Sequence, residues 1–176
     1  KSVVRTPDET INQTCTNQSG RNIVITGGTR GLGRIQAEYA LKCGATHVTI
    51  TGRSKEKGGT PSDGINTQES LRAKYGNDRI TYIQSDVRSD EDTHSLFDPD
   101  KRHAAGLPRE VHAASLNAGI FGEAGPDRVL ESLPVKSFES VMNTNCTGSF
   151  RGIKEFAKAA AKTQVHNPSL LLIKSI

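Results

Sequence analysis

Asn22-Ile23-Val24-Ile25-Thr26-Gly27-Gly28-Thr29-Arg30-Gly31-Leu32-Gly33 decides how this chain folds. The first five residues are a short β-branched run, which predicts a buried strand. Glycines then punctuate the chain, and a helix is expected from about Leu32 to Cys43, with Leu32, Ile35 and Tyr39 marking one face and Gly44 in the C-terminal capping position. A strand-to-helix turn at the carboxyl edge of a parallel sheet aims backbone N–H groups outward, and the helix dipole adds partial positive charge. Gly27 permits the tight turn, Gly31 lets the backbone approach a pyrophosphate, and Gly33 lets helix and strand pack closely. A plain turn is the alternative, but it would not need three glycines. The stretch therefore points to a nucleotide phosphate site, with Thr29, Arg30 and Leu32 beside the glycines.

Further along, His47–Thr51 predicts a second strand closed by Gly52. Lys55–Asn66, which carries Gly58, Gly59, Pro61 and Gly64, reads as a loop, and Gln68–Tyr75 as a helix. A third strand is expected at Ile80–Gln84. Ser89–Phe97 opens with a serine cap and acids in its first turn, so another helix is expected there. Asp98–Pro108 reads as an irregular loop, and Val111–Leu116 as a weak, unusually polar strand. A long helix from Phe138 to about Thr163 precedes an apolar strand at Leu170–Ile173. Residues 1–20 are polar and aperiodic, which predicts a flexible N-terminal extension ahead of one domain over 21–176. Strand and helix alternate five times, the pattern of a three-layer α/β domain with a doubly wound parallel sheet and helices on both faces.

Composition excludes several classes. With 176 residues the chain is of single-domain length, and 23 Lys+Arg against 19 Asp+Glu leave a mild +4. The basic residues alternate with acids, Gly and Pro, so a solvated mixed surface is expected rather than nucleic-acid binding. Leu170–Ile173 is the longest apolar run, far short of a membrane-spanning helix. Cys15, Cys43 and Cys146 are odd in number and widely spaced, and the five His are scattered. Neither a disulfide framework nor a metal site is expected, and a reducing cytoplasmic location fits.

Three more motifs follow the glycine turn in order: Asp86-Val87 after the third strand, Asn117-Ala118-Gly119 after the fourth, and Asn145-Cys146-Thr147-Gly148 within the long helix. With Thr26-Gly27-x-x-x-Gly31-x-Gly33 they make the chain, from about Arg21 to Ile176, resemble the short-chain dehydrogenase/reductase family. The resemblance implies a Rossmann fold and carbonyl–alcohol interconversion by hydride transfer from a nicotinamide cofactor. It also implies a small-molecule carbonyl or alcohol substrate and a homo-oligomer. By the same resemblance Asp86 contacts adenine beside Val87, Asn117, Ala118 and Gly119 line the cofactor, Asn145 links a catalytic lysine to a water chain, and Ser175 hydrogen-bonds the carbonyl. A polar Asn-Cys-Thr-Gly break in a helix also suggests a local opening, the alternative being a mid-helix Asn satisfied by solvent.

The cofactor's form is read from the end of the second strand. An NAD-preferring site places an acid there for the ribose hydroxyls. Here Gly52 is followed by Arg53 and Ser54, and Arg30 precedes the second motif glycine. Guanidinium groups pair well with phosphate, so NADP(H) is expected, unless both arginines are ordinary surface residues. The family's proton donor is a Tyr with a Lys four residues on, but Tyr39, Tyr75 and Tyr82 are followed at that distance by Cys43, Arg79 and Asp86. The expectation is thus a domain truncated after its fifth strand, with an uncovered apolar edge and at most weak activity alone. Two alternatives stay open: a non-catalytic NADP-binding module, and a ketoreductase domain cut from a multidomain synthase.

Overall fold

A computed structural model of the protein describes residues 15–54, 62–121 and 133–173. Its five strands, β1 (Asn22–Thr26), β2 (His47–Gly52), β3 (Ile80–Gln84), β4 (Ala113–Leu116) and β5 (Ser169–Leu172), form one parallel sheet in the order β3-β2-β1-β4-β5. The connections carry α1 (Gly31–Lys42), α2 (Asp63–Tyr75), α3 (Asp90–Phe97), α4 (Pro99–Ala104), α5 (Val135–Val141) and α6 (Gly148–Thr163). The strand order reverses between β1 and β4, and in such sheets a crevice opens there at the carboxyl ends. Among the described residues no helix is long and apolar enough to cross a membrane.

Strand side chains alternate, so β1 feeds two cores. Ile23 and Ile25 join Ala37, Leu41, Val48 and Leu71 under α1 and α2, whereas Val24 points into Leu96, Phe97, Leu116 and Phe156 under α3 and α6. Burial on both faces explains why the middle of β1, Ile23-Val24-Ile25, is an unbroken apolar run. β5 is different. Leu170, Leu171 and Leu172 are 40%, 51% and 44% exposed, and no further strand lies beside β5 among the described residues.

Four local expectations need correction. The face of α1 on the sheet is Gly33, Ala37, Ala40 and Leu41, while Leu32 and Ile35 are 52% and 63% exposed. Small residues lie against the sheet because the helix approaches it closely. Of the loop expected at Lys55–Asn66, residues 63–66 are already helical: the Ser62 hydroxyl caps α2 by accepting from the Ile65 N–H at 3.3 Å. The loop expected at Asp98–Pro108 contains α4, begun by the Asp98 carboxylate, which accepts from the Asp100 and Lys101 N–H groups at 3.0 Å, and by Pro99 in the first position. The fully buried Arg102 then pins it by donating to the carbonyls of Pro108 (2.8 Å) and Leu96 (2.9 Å). Burial pulls its guanidinium down to about 10, so it stays charged at neutral pH.

The fourth correction concerns cysteine and the N-terminal extension. Cys15 and Cys43 are joined in a disulfide, with Cα atoms 5.6 Å apart, and only Cys146 is free. Residues 15–20 are therefore bound to the domain, and the Gln18 N–H reinforces this by donating to the Cys43 carbonyl at 2.8 Å. Residues 1–14 lie outside the described residues. Cysteine spacing was a poor guide because the partner sits at a helix end that only the fold brings near. With it, the cysteine argument for a reducing compartment falls away.

Thiol titration of the unfolded, unreduced protein should find one thiol per chain, rising to three after reduction. Opening the disulfide, which spans 28 residues, should cost about 3 kcal/mol of stability in urea unfolding. A second prediction concerns His47, buried at the start of β2 with its Nε2 on the Thr81 hydroxyl at 3.1 Å and its Nδ1 without a partner. Burial, then the nearby Arg102, lowers its pKa from the usual 6.5 to about 4. The folded state therefore favours the neutral ring. Its contribution is complete above pH 6.5 and is lost as pH falls toward 4, by about 3 kcal/mol in all. H47N should flatten that slope in unfolding measured from pH 7 to 4.

Candidate functional site

The glycine turn is built by close approach. Gly27 has φ +66°, and a Cβ there would lie 2.9 Å from the Ala118 Cα. A Cβ on Gly33 would stand 2.3 Å from the Gly27 carbonyl oxygen and 2.6 Å from Asn117 Nδ2. The Thr26 hydroxyl ties this turn to the next one, accepting from the N–H groups of Asn117 and Ala118 at 3.1 Å each, and Asn117 Nδ2 donates back to the Gly27 carbonyl at 3.2 Å. The ends of β1 and β4 are thereby locked together. Gly31, at φ +53°, has nothing within 4 Å where its side chain would be. Unlike α2, α3 and α4, α1 begins with no side-chain cap and no acid in its first turn, so its opening amides keep their positive field.

Next to this corner, a Cβ on Gly52 would strike the Thr29 methyl at 2.7 Å, and the Thr29 carbonyl is held by the buried Thr67 hydroxyl at 2.7 Å. An acidic side chain at position 52 would thus displace the turn. The Tyr82 hydroxyl braces the following backbone at the carbonyls of Gly52 (3.2 Å) and Ser54 (2.9 Å). Burial pushes its pKa up. One strand further, Asp86 is bound by Arg88 through Nε at 3.0 Å to both carboxylate oxygens and through Nη2 at 2.6 Å. This guanidinium holds the Asp86 carboxyl below the usual carboxylate range, with a further pull from Arg53. The Asp92 carboxylate fixes the same turn by accepting from the Asp86 N–H at 2.8 Å.

Together these elements enclose a cleft of about 1000 Å³ at the carboxyl ends of β1, β2, β3 and β4. Gly27, Thr29, Arg30, Gly31 and Leu32 line it, with Arg53, Ser54, Asp86, Val87, Asn117, Ala118 and Gly119. Gly33 sits behind the wall as a spacer. The site also contains residues that sequence reasoning missed. Arg88 could have been noticed as a cation two residues past Asp86. Thr51, Ser85 and Thr144 carry buried hydroxyls with no hydrogen-bond partner and also line the cleft, a property no sequence pattern signals. Orphaned hydroxyls, an uncapped helix and open space over Gly31 are what a bound dinucleotide would complete.

Asn145 lies just beyond the lining. It sits in a π-helical turn, Met142–Thr147, between α5 and α6, so the expected long helix does open at this motif. Its side chain donates to the Ile120 carbonyl and accepts from the Ile120 N–H, both at 2.9 Å, while its own carbonyl accepts from the Ser149 hydroxyl at 2.8 Å. Ser175 lies outside the described residues.

Fold and cleft define a doubly wound α/β protein with an open cleft at the sheet's switch point. The chain belongs to the short-chain dehydrogenase family, whose model matches residues 21–167. It is 28% identical over 140 residues to (-)-isopiperitenol/(-)-carveol dehydrogenase, mitochondrial, of Mentha piperita, covering 80% of this chain and 47% of that protein. To momilactone A synthase of Oryza sativa subsp. japonica it is 30% identical over 142 residues, 81% and 46% of the two chains. The Pseudomonas aeruginosa RhlG/NADP active-site complex superposes with a TM-score of 0.66 at 28% identity, covering 84% of this chain and 50% of that one. The chain spans about half the length of these relatives.

G33A tests the corner. Its Cβ would meet backbone that cannot swing aside, so stability should drop by roughly 2 kcal/mol in thermal or urea unfolding. Affinity for a nicotinamide dinucleotide should fall in parallel, read by fluorescence titration.

Proposed function

We propose that this chain is the cofactor-holding part of an NADP(H)-dependent oxidoreductase that interconverts a carbonyl and an alcohol on a small molecule. One observation carries the cofactor choice. At the end of β2, where a carboxylate would select the unphosphorylated ribose, there is a glycine whose missing side chain is replaced by the Thr29 methyl. Arg30 and Arg53 flank that corner, and among the described residues neither has an acid within ion-pair distance. The superposed Pseudomonas aeruginosa structure, described as a complex with NADP, supports the same reading.

The amides at the start of α1 and the bare Gly31 would receive the pyrophosphate, and the Arg30 and Arg53 guanidiniums with Ser54 would hold the 2′-phosphate. Asp86 and Val87 would flank the adenine, and the Asn117–Gly119 turn would support the adjoining ribose. When bound, the cofactor supplies or accepts the hydride. Asn145 would position a proton-relay group through the backbone it grips at residue 120, and Ser175 would hydrogen-bond the carbonyl. None of the three tyrosines has a lysine four residues on, so this 176-residue polypeptide should bind cofactor without turning it over. A homo-oligomer is our reading of its working state.

R53A should weaken NADPH binding by about 10- to 100-fold, the loss of charge-assisted bonds to phosphate, and leave NADH binding nearly unchanged. Equal losses for the two cofactors, measured by calorimetry, would remove the assignment.

A further inference from the structure

The end of β3 lies beside the end of β2. Gly52 pairs with Gln84, and the Ser85 N–H donates to the Gly52 carbonyl at 3.0 Å. Arg53 and Ser54 therefore share a corner of the cleft with Asp86, two residues past Gln84. An isolated carboxylate here would oppose a dianionic phosphate much as an acid at the end of β2 would. Arg88 grips both oxygens of that carboxylate, and the Arg88 N–H adds a bond to Oδ1 at 3.0 Å. The turn is not free to relax. Asp92, whose own carboxylate also accepts from the Ser89 hydroxyl at 3.1 Å, holds the Asp86 N–H in place.

We infer that Arg88 is a specificity-determining residue: by pinning and neutralising Asp86 at the cleft mouth, it lets a 2′-phosphorylated ribose sit against Arg53. This rests on the NADP(H) reading above. The charges lining the cleft are Arg30, Arg53 and Arg88 against Asp86 and Asp92. With Asp86 bound to Arg88, and Asp92 turned onto the Asp86 and Ser89 groups, the field at the β2–β3 corner is left to Arg30 and Arg53. The pair is partly exposed, so solvent and salt screen it and the effect is moderate.

The test is the ratio of NADPH to NADH affinity, by fluorescence titration at low salt, for the natural chain, R88L, D86N and the double variant. A ratio cancels whatever adenine contact Asp86 makes, since both cofactors share the adenine. R88L should lower the ratio about fivefold, D86N should raise it, and the double variant should recover at least the natural value. The differences should shrink at 0.5 M salt, on the order of a threefold shorter screening length. If the natural chain shows no NADPH preference, the cofactor reading fails. If it prefers NADPH and both single variants leave the ratio unchanged, this inference alone fails. Should circular dichroism show R88L unfolded, D86N decides: an unchanged or lowered ratio overturns the proposal.

Discussion

Everything in this molecule is arranged around the contact between the start of α1 and the Gly27 carbonyl. That approach is too close for any side chain at position 33, and it brings the first turn of a helix to the edge of the sheet. The Thr26 hydroxyl extends the constraint sideways, because by accepting two amides from the Asn117 turn it makes β1 and β4 end at one height. A crevice over a switch point becomes a shaped cleft only when the strand ends on both sides are held in this way.

The other wall is governed by charge. β2 ends in a residue with no room for a side chain, β3 is followed two residues on by a carboxylate held by a guanidinium, and two more arginines line the space between. In the function we propose, backbone amides would supply the affinity for phosphate, and these few side chains would set which phosphates are accepted. The first property belongs to the fold, and the second can change by single substitutions.

Most of this was legible in the sequence because the signals are local. The glycine turn, the β-branched strands and the Asn-Ala-Gly and Asn-Cys-Thr-Gly motifs fix their surroundings within a few residues, and the π-helical turn at Asn145 falls where that motif predicts an opening. The failures have different causes. Helix α4 is written in Asp98-Pro99, a cap followed by a helix-starting proline, a two-residue signal that an irregular-loop reading passes over. The inward face of α1 departs from its apolar pattern because Leu32 and Ile35 are turned outward while Gly33, Ala37 and Ala40 lie inward with Leu41, an arrangement that the spacing between helix and sheet explains. The disulfide and the orphaned hydroxyls depend on contacts between distant segments, which no reading of spacing supplies.

The disulfide also has a particular place in the architecture. It closes at the end of α1, while the glycine corner opens the same helix, so the 12-residue rod puts roughly 18 Å between them. The covalent bolt and the glycine corner occupy opposite poles of one element. A substitution beside the bolt is thereby kept a helix length away from the cleft.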